Sequence, residues 1–463
     1  MGLRPGGRGI ISPHDGDHPD GDRRNQAAKQ DQIARWTSLG REGQVTKISH
    51  PSFHQLWRFT LAKLPQALIL MVVTILTACG SPRITANSPS SAASGRTPSA
   101  TPAATAGASP TASGAVACAD RVLAGMSEDQ RIGQLFLLGL ASDRLGSAEI
   151  QEIQADHIGS VWFVDRTYAG VAGIRSVSDA VQAQATADAT ANVRFFVAAN
   201  QEGGITQALQ GPGFSAMPSA LVQGGWTTAA LASAASTWGQ QLRAAGVNMN
   251  FAPVMDVVPP GFDSQNQPIG ALQREYGHDP GTAASHATAF LQAMRHAGVA
   301  VTGKHFPGLG RVTGNTDYTT ATDTVTTIDD PYLQSFKQGI DGGADFVMVA
   351  IATYTRIDPS HLAAFSPIVI GQMLRGTMGF TGVIVSDDLG ATVAVAAIPA
   401  GDRAISFLAA GGDLVISKTT DATHAMVLAL RSNVAADAAF RTLVDQAALR
   451  VLREKQAWGL LPC

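Results

Sequence analysis

Several features are scarce in this sequence of 463 residues, and each scarcity argues against a class of function. Charged residues make up only 15% and the formal net charge is −3, so the chain has no basic field for nucleic acid. Neither a Walker loop nor a dinucleotide-binding glycine fingerprint is present, and we expect no cofactor. The most apolar run, Ala67 to Leu76, is too short for a comfortable membrane span.

Aromatic residues are also few, at 6%, whereas hydrophobic residues as a whole reach 45%. Alanine and glycine therefore carry much of the composition, which is typical of α/β proteins whose helices pack closely against a sheet. A chain of this length can bury a substantial core and has enough residues for one large barrel with extensions.

The first part of the chain does not have the pattern of a folded domain. Residues 1–55 are polar, rich in Gly, Asp and Arg, and lack a sustained apolar period, so we expect them to be disordered. Residues 56–79 combine a basic flank, a short apolar run and small residues, which is typical of a secretory signal. Because a signal normally begins at the extreme N-terminus, we expect the true translation start to lie downstream, near Val45 to Leu61.

The end of this signal, Leu76-Thr77-Ala78-Cys79, resembles a bacterial lipobox. The resemblance implies cleavage before Cys79, lipidation of its thiol, and export to the outer face of the cell membrane. An ordinary signal peptide in which Cys79 is incidental is the alternative. Residues 80–117 are rich in Ser, Thr, Ala and Pro, and this composition predicts a flexible linker between the anchor and a folded domain.

From residue 118 to residue 463, short apolar runs alternate with amphipathic helical stretches. This alternation predicts an α/β fold, a single (β/α)8 barrel of the TIM type. A doubly wound sheet is the alternative, but it lacks a glycine-rich first turn. The eight candidate strands are 134–140, 159–164, 193–200, 247–253, 299–305, 345–350, 382–387 and 413–417.

Two cysteines, Cys118 and Cys463, begin and end this predicted domain. The first and last strands of a barrel are neighbours, so its termini lie close together. In an exported protein two such cysteines predict a disulfide, with two free thiols as the alternative.

Polar residues follow the fifth and seventh candidate strands, where the catalytic face of a (β/α)8 barrel is built. Lys304 and His305 end one strand before a glycine-rich loop, and Asp387 ends the other. Five motifs in this order resemble the β-N-acetylhexosaminidase branch of the family-three glycoside hydrolases, and the resemblance covers Leu123 to Leu461. The motifs are Gln201-Glu202-Gly203-Gly204, Asn250-Phe251-Ala252-Pro253-Val254-Met255-Asp256, Arg274-Glu275-Tyr276-Gly277, Lys304-His305-Phe306-Pro307-Gly308 and Ser386-Asp387-Asp388-Leu389.

The resemblance implies a retaining exo-β-N-acetylglucosaminidase that acts on peptidoglycan fragments through a glycosyl-enzyme. Asp387 matches the nucleophile position of the family. Adjacent residues of a strand point to opposite faces, so Asp388 is expected to cap the following loop rather than to face the sugar.

The acid/base is harder to assign, because the family carries an Asp-x-His motif in the loop where this chain has Asn315, Thr316 and Asp317. Leu309 also replaces the second His of the family. Asp317 can protonate the leaving oxygen if burial or a nearby carboxylate raises its pKa. A solvated loop residue is the alternative for Asp317, with Asp323 and Glu202 as reserve candidates.

Five residues are predicted to bind the sugar: Lys304, His305, Arg274, Asn200 and Glu202. The first three match sugar-contacting residues of the family, with a core histidine and a structural salt bridge as alternatives for His305 and Arg274. The amide of Asn200, where the family usually has Asp, can still hydrogen-bond vicinal hydroxyls. Asp256 ends the fourth strand and either lines the pocket or braces Lys304.

The sequence leaves other functions open. The first alternative is a different enzyme: a β-glucosidase, some other retaining exo-glycosidase, or a phosphorylase. The other is a wall-sugar-binding barrel without turnover, which the missing Asp-x-His motif favours. The remaining histidines of the domain lack paired ligand spacing, so no metal site is predicted. We expect a carbohydrate substrate, a membrane anchor, no nucleic-acid partner and a monomer.

Overall fold

The computed structural model describes residues 112–141 and 144–463, with side chains from residue 118 onward. Three predicted regions lie outside the described residues: the disordered region 1–55, the signal 56–79 with its Cys79, and residues 80–111 of the linker 80–117. Within the described part, no helix is both long enough and apolar enough to cross a membrane.

Eight of the eleven strands in the described residues form a closed parallel barrel in the order β1-β11-β10-β7-β5-β4-β3-β2. The other three, β6, β8 and β9, form a small separate sheet. The strands are β1 Phe136–Leu140, β2 Ser160–Phe163, β3 Phe196–Ala199, β4 Met249–Asn250, β5 Ala300–Phe306, β6 Thr322–Asp323, β7 Phe346–Val349, β8 Thr353–Tyr354, β9 Asp358–Leu362, β10 Val383–Asp388 and β11 Leu414–Ser417.

The (β/α)8 barrel predicted from the sequence is therefore confirmed, and each of its eight strands lies within a predicted range or extends it by one residue. The α-helices of the described part are α1 Ala112–Gly125, α2 Glu128–Gly133, α3 Ser147–Ala155, α4 Gly170–Gln182, α5 Ala187–Thr190, α6 Ala220–Gly224, α7 Thr228–Ala244, α8 Pro280–His296, α9 Gln334–Asp341, α10 Ala400–Ala409, α11 Thr420–Ala436 and α12 Ala438–Ala457. A π-helix, Ile368–Thr377, occupies the place of an α-helix before β10, and short 3₁₀ turns complete the loops.

The barrel strands form because they are short apolar runs that are buried on both faces, as parallel strands enclosed by helices require. Phe196 of β3 and Phe346 of β7 pack edge to face in the barrel, with ring centroids 5.3 Å apart. Helix α8, which precedes β5, begins with Asp279 accepting a hydrogen bond from the Thr282 backbone N–H and with Pro280 at its first position.

The C-terminal helix α12 packs at the N-terminal ends of the first two strands. Its buried Lys455 donates from Nζ to Gln134 Oε1 and to the Gly159 carbonyl, both at 2.7 Å. Burial lowers the pKa of Lys455 to about 7. Cys118 in α1 and Cys463 form a disulfide with their Cα atoms 6.3 Å apart, the pairing predicted from the sequence.

Candidate active site

A cavity of about 670 Å³ opens among the loops that follow the C-terminal ends of the barrel strands. Asn200, Lys304, His305 and Asp387 line it directly after or at the end of β3, β5 and β10. The lining residues are Trp162, Val164, Arg166, Asn200, Ile205, Thr206, Ala208, Phe251, Gln267, Pro268, Leu272, Arg274, Lys304, His305, Leu309, Asn315, Thr316, Asp317, Tyr318, Met348, Asp387, Asp388, Ala391, Thr392, Ile416 and Lys418.

Glu202 connects two of the lining cations from behind the cavity wall. Its carboxylate accepts two hydrogen bonds of 2.8 Å from Arg274, and Lys304 Nζ lies 2.6 Å from Oε1. Lys304 also donates to Asn200 Oδ1 at 2.8 Å, which leaves the NH2 group of Asn200 as the part suited to a sugar hydroxyl. Glu202 was predicted to bind the sugar, but the structure places it outside the cavity lining, where it positions Arg274 and Lys304.

The pKa values of Glu202, Lys304 and Arg274 depend on their burial and on the charges of one another. Burial alone would raise the pKa of Glu202, but Arg274 and Lys304 outweigh that effect and hold it at about 2. Burial lowers the pKa of Lys304, and the negative charges of Glu202 and Asp387 oppose this shift. Arg274 keeps a pKa above its usual value despite burial, chiefly because of Glu202.

A second buried carboxylate orients His305. Asp256 Oδ2 lies 2.7 Å from His305 Nδ1, and its Oδ1 accepts from the backbone N–H groups of His305 and Leu309. Asp256 is fully buried and does not line the cavity, so of the two predicted roles it has neither. It directs the other ring nitrogen, Nε2, of His305 towards Arg274, whose Nη2 is 3.5 Å away. His305 is thus held as a cavity residue rather than as a core histidine.

The two consecutive aspartates at the end of β10 have different surroundings. Asp388 accepts hydrogen bonds from the backbone N–H groups of Gly390, Ala391 and Lys418, at 2.8, 3.2 and 2.9 Å. This is the loop-capping role expected from the sequence, but Asp388 also lines the cavity, which strand alternation did not predict. Asp387 accepts from the Asp388 N–H at 2.8 Å and is within electrostatic reach of Arg274, Lys304 and Asp317. It is the one of the pair that suits a nucleophile.

Asp317 lies on an exposed part of the loop after β5, and it lines the cavity together with Asn315 and Thr316. Partial desolvation raises the pKa of Asp317 and the charge of Asp387 raises it further, whereas Arg274, Lys418 and His305 oppose the rise. The arrangement meets the condition set for a carboxylic acid that donates a proton.

The first part of this loop is held by contacts with the segment that connects β4 to α8. Asn266 donates from Nδ2 to the carbonyls of Leu309 and Val312, both at 2.7 Å. A Cβ on Gly310 would lie 1.8 Å from the Val257 carbonyl oxygen, so only glycine fits at that position. Any movement of Asp317 over a sugar must therefore come from the segment after Val312.

The reserve candidate Asp323 is not positioned to act on a ligand. Its side chain accepts from the backbone N–H groups of Val325 and Thr326 and from the Thr326 hydroxyl, at 2.7, 2.8 and 2.6 Å. It is buried and absent from the cavity lining. Glu202, the other reserve candidate, is ionised and doubly ion-paired, so it has no proton to donate.

The sequence analysis overlooked several lining residues. Trp162, at β2, packs edge to face with Phe251 at a centroid distance of 5.7 Å and gives the cavity an apolar wall. Arg166 and Lys418 add two exposed cations at the rim. Each of these residues lies at or shortly after the C-terminal end of a predicted strand, so the rule that located Lys304 also applied to them.

Comparisons with known proteins agree with the barrel fold. Residues 127–454 match the family model described as the glycosyl hydrolase family 3 N-terminal domain. A curated β-hexosaminidase of Xanthomonas oryzae pv. oryzae is 33% identical over 291 residues, which are 61% of this chain and 83% of that protein. The crystal structure of a β-N-acetylhexosaminidase from Beutenbergia cavernae is similar, with a TM-score of 0.70 and 46% identity, over 71% of this chain and 98% of that one.

A family 3 β-N-acetylglucosaminidase structure from a Paenibacillus species is also similar, with a TM-score of 0.64 and 28% identity. The similarity covers 72% of this chain and 63% of that protein.

Proposed function

Because the chain belongs to family 3 of the glycosyl hydrolases, we propose that it removes terminal β-linked N-acetylglucosamine by a retaining, two-step reaction. The observation that carries the proposal is the presence of two carboxylates, Asp387 and Asp317, on one cavity with three cationic or imidazole side chains beside them. Glycoside hydrolases that retain configuration use one carboxylate as a nucleophile and a second group as an acid and base.

In the first step Asp387 attacks the anomeric carbon and the leaving oxygen takes a proton from Asp317. In the second step Asp317, now a carboxylate, removes a proton from water, and that water attacks the glycosyl ester and releases Asp387. The raised pKa of Asp317 supports the first half of this cycle. When Asp387 becomes a neutral ester, its charge no longer raises the pKa of Asp317, and the positive charges of Arg274 and Lys418 favour the ionised form of Asp317 that the second half requires.

The sugar would be held by side chains that are already fixed before it binds. Lys304 and Arg274 are oriented by Glu202, His305 is oriented by Asp256, and Trp162 offers an apolar surface for a ring face. The cavity volume lies within the roughly 300–1,000 Å³ usual for small-ligand sites. The names of the similar proteins, β-hexosaminidase and β-N-acetylhexosaminidase, support an N-acetylated amino sugar as the substrate.

We further propose that the natural substrates are cell-wall peptidoglycan fragments and that the protein is exported and anchored to the outer face of the membrane through a lipid on Cys79. The lipobox-like sequence Leu76 to Cys79 supports this location, and a Cys118–Cys463 disulfide suits an oxidising compartment. Mass spectrometry of the mature protein should find diacylglycerol on Cys79. A mature N-terminus elsewhere without lipid would exclude the anchor.

One assay panel tests the enzymatic proposal. Nitrophenyl N-acetyl-β-glucosaminide and nitrophenyl β-glucoside are compared with and without inorganic phosphate, and muropeptide fragments with a terminal N-acetylglucosamine are tested next. We expect hydrolysis of the N-acetylated substrate, no dependence on phosphate, and release of single sugars with retained β-configuration. Faster cleavage of the glucoside, release of sugar phosphate, or binding without turnover would each refute the proposal.

A further inference from the structure

A cluster of three potential metal ligands lies beside the candidate active site but takes no part in it. Asp263, Glu275 and His278 each present one ligand atom, and these atoms all lie within 4.8 Å of one another. All three residues belong to the segment that connects β4 to α8. Glu275 directly follows Arg274, which lines the cavity.

The carboxylate of Glu275 lacks the compensation that a buried charge requires. Its residue is 0% exposed, and neither of its oxygens accepts a hydrogen bond from another residue while Asp263 is ionised. Asp263 Oδ1, which points into the same cluster, also lacks a hydrogen-bond partner. An unpaired buried carboxylate is strongly unfavourable, so a positive charge or a proton must accompany these two groups.

His278 completes the donor set at the edge of the cluster. Its Nδ1 is 3.6 Å from Asp263 Oδ1 and 3.3 Å from the carbonyl oxygen of Val258. A histidine nitrogen, two carboxylates and a carbonyl oxygen therefore converge on one small volume. Asp263 and His278 are each about one-third exposed, at 37% and 35%, so an ion and its water can reach the cluster from solvent.

We propose that Asp263, Glu275 and His278 bind one divalent transition-metal ion of the class of Zn²⁺ or Mn²⁺, with the Val258 carbonyl and water as further ligands. Carboxylates alone would suit Mg²⁺ or Ca²⁺, whereas the imidazole nitrogen favours the first-row transition ions. The ion neutralises the two carboxylates and removes the cost of burying Glu275.

The position of the cluster indicates what the ion does. Residues 263 and 275 are the two ends of a segment from which Gln267, Pro268, Leu272 and Arg274 line the cavity. An ion that holds both ends would fix this part of the cavity wall, and with it the Arg274 side chain. The role is structural, since the cluster residues are not among those that line the cavity.

Another cluster in the described residues has a similar set of side chains but already has a cation beside it. Glu152, Asp156 and His424 also present three ligand atoms within 4.8 Å. There, however, Arg431 Nη1 already pairs with Asp156 Oδ1 at 2.8 Å, so a fixed cation supplies the charge. Among the described residues, no arginine or lysine forms an ion pair with Asp263 or Glu275.

The competing arrangement is a proton in place of the ion. Burial, and after it the nearby Asp263, raises the pKa of Glu275 to about 8 when no ion is present. A neutral Glu275 would then need no metal. The two arrangements differ in metal content, and metal content can be measured without reference to activity.

The experiment uses the full chain, purified without chelator and then stripped with dipicolinate. Titration calorimetry with ZnCl2 and, separately, MnCl2 is performed on the wild type, His278→Gln, Asp263→Asn and Glu275→Gln. His424→Gln is the matched control, because it removes the corresponding ligand of the other cluster. Any Zn²⁺ that binds elsewhere on the chain is common to the wild type and the variants, so the difference between wild type and variant counts the ion at this site.

We expect the wild type and His424→Gln to bind one more ion than His278→Gln, or to bind it more than roughly 100-fold more tightly, since a direct ligand matters more than its outer-shell support. Metal should raise the melting temperature of the wild type by several degrees, and the shift should vanish in His278→Gln and Asp263→Asn. These two positions are partly exposed, so the variants remain informative if Glu275→Gln fails to fold. Equal stoichiometry and affinity in wild type and His278→Gln would overturn the proposal. The proposal would also be overturned if Glu275→Gln is stable and metal changes the stability of neither this variant nor the wild type. That result would favour a proton in place of the ion.

Discussion

Glu202 and Arg274 are joined by two hydrogen bonds of 2.8 Å, from Nε to Oε2 and from Nη2 to Oε1. The same carboxylate accepts Lys304 at 2.6 Å, so one buried anion orients two cations on the cavity wall. Arg274 and Lys304 also lie within the field of Asp387, which supplies a second negative charge. Arg274, Lys304, Glu202 and Asp387 are thus parts of one charge network.

The first prediction concerns the stability that Glu202 provides. Glu202→Gln leaves two buried cations without their carboxylate, and we expect a loss of about 3–5 kcal/mol in the free energy of unfolding. Urea unfolding at neutral pH measures this loss. Glu128→Gln, which breaks an exposed pair with Arg441, is the matched control and should cost less than about 1 kcal/mol.

The same residue predicts a dependence of stability on pH. The pKa of Glu202 is about 2 in the folded protein, against 4.5 for a freely exposed glutamate, so the unfolded state binds more protons between these limits. Its stabilising contribution is complete above about pH 4.5 and is lost as the pH falls towards 2, a change on the order of 3 kcal/mol. In Glu202→Gln, the free energy of unfolding should not show this decrease as the pH falls. A decrease equal to that of the wild type would contradict the prediction.

A second prediction identifies the nucleophile. Asp387→Ala should lower kcat by a factor on the order of 10⁴, because no covalent intermediate can form. A fluorinated amino sugar that traps the glycosyl-enzyme should label Asp387, as peptide mass spectrometry can show. Asp388→Asn is the control: it weakens the three backbone hydrogen bonds of the loop and should reduce stability by about 1 kcal/mol, with a much smaller effect on kcat. Label on Asp388 would reverse the assignment of the pair.

A third prediction tests Asp317 as the acid and base. Asp317→Ala should slow substrates with poor leaving groups far more than nitrophenyl glycosides, whose leaving group scarcely needs a proton. Added azide should partly restore turnover of the activated substrates, since it attacks the glycosyl-enzyme without a base. Asp329→Ala, an exposed aspartate of the same loop outside the cavity lining, should change neither rate. Equal slowing of both substrate types in Asp317→Ala would remove Asp317 from this role.

A fourth prediction uses the cation at the cavity rim. Lys418 favours the ionised form of Asp317 and so lowers its pKa. Lys418→Met should raise that pKa, and because the acid must be protonated to donate, the alkaline limb of kcat/KM should move to higher pH. Lys337→Met, an exposed lysine paired with Asp341 outside the cavity lining, serves as the control. A shift towards lower pH would show that another group sets this limb.

A fifth prediction concerns the Cys118–Cys463 disulfide. Cys463→Ser should lower the free energy of unfolding by roughly 2–5 kcal/mol, because the bond restricts a very long loop of the unfolded chain. The melting temperature of the oxidised protein should fall accordingly, with Cys79→Ser unchanged as the control for removal of a cysteine. Equal melting temperatures of wild type and Cys463→Ser under oxidising conditions would show that the bond contributes nothing.

Much of the scaffold was predictable because buried parallel strands have a recognisable local sequence pattern. A run such as Phe136–Leu140, apolar at every position and bounded by helical stretches, has few structures open to it other than a barrel or a doubly wound sheet. The position of Asp387 was predictable for a related reason, since residues that end such strands share one face of the barrel. The capping role of Asp388 followed from strand alternation.

The partners of the buried charges could not be read in the same way. Glu202, Asp256 and Asp323 are all acidic residues near strand ends, yet one clamps Arg274 and Lys304, one orients His305, and one only closes a turn. The direction of each side chain depends on the geometry of its loop, and the sequence pattern does not specify that geometry.

The sequence by itself therefore determined the barrel, the face that carries the candidate active site and the candidate nucleophile, because these depend on hydrophobic periodicity and strand polarity. Only the tertiary structure decided which carboxylate pairs with which cation, and that Asp263, Glu275 and His278 converge. Such contacts join residues from separate loops or from distant points of one long loop, and a hydrogen bond or a metal site requires their atoms to meet within a few tenths of an ångström. That precision arises when the closed barrel fixes the loop ends, and it has no local signature in the chain.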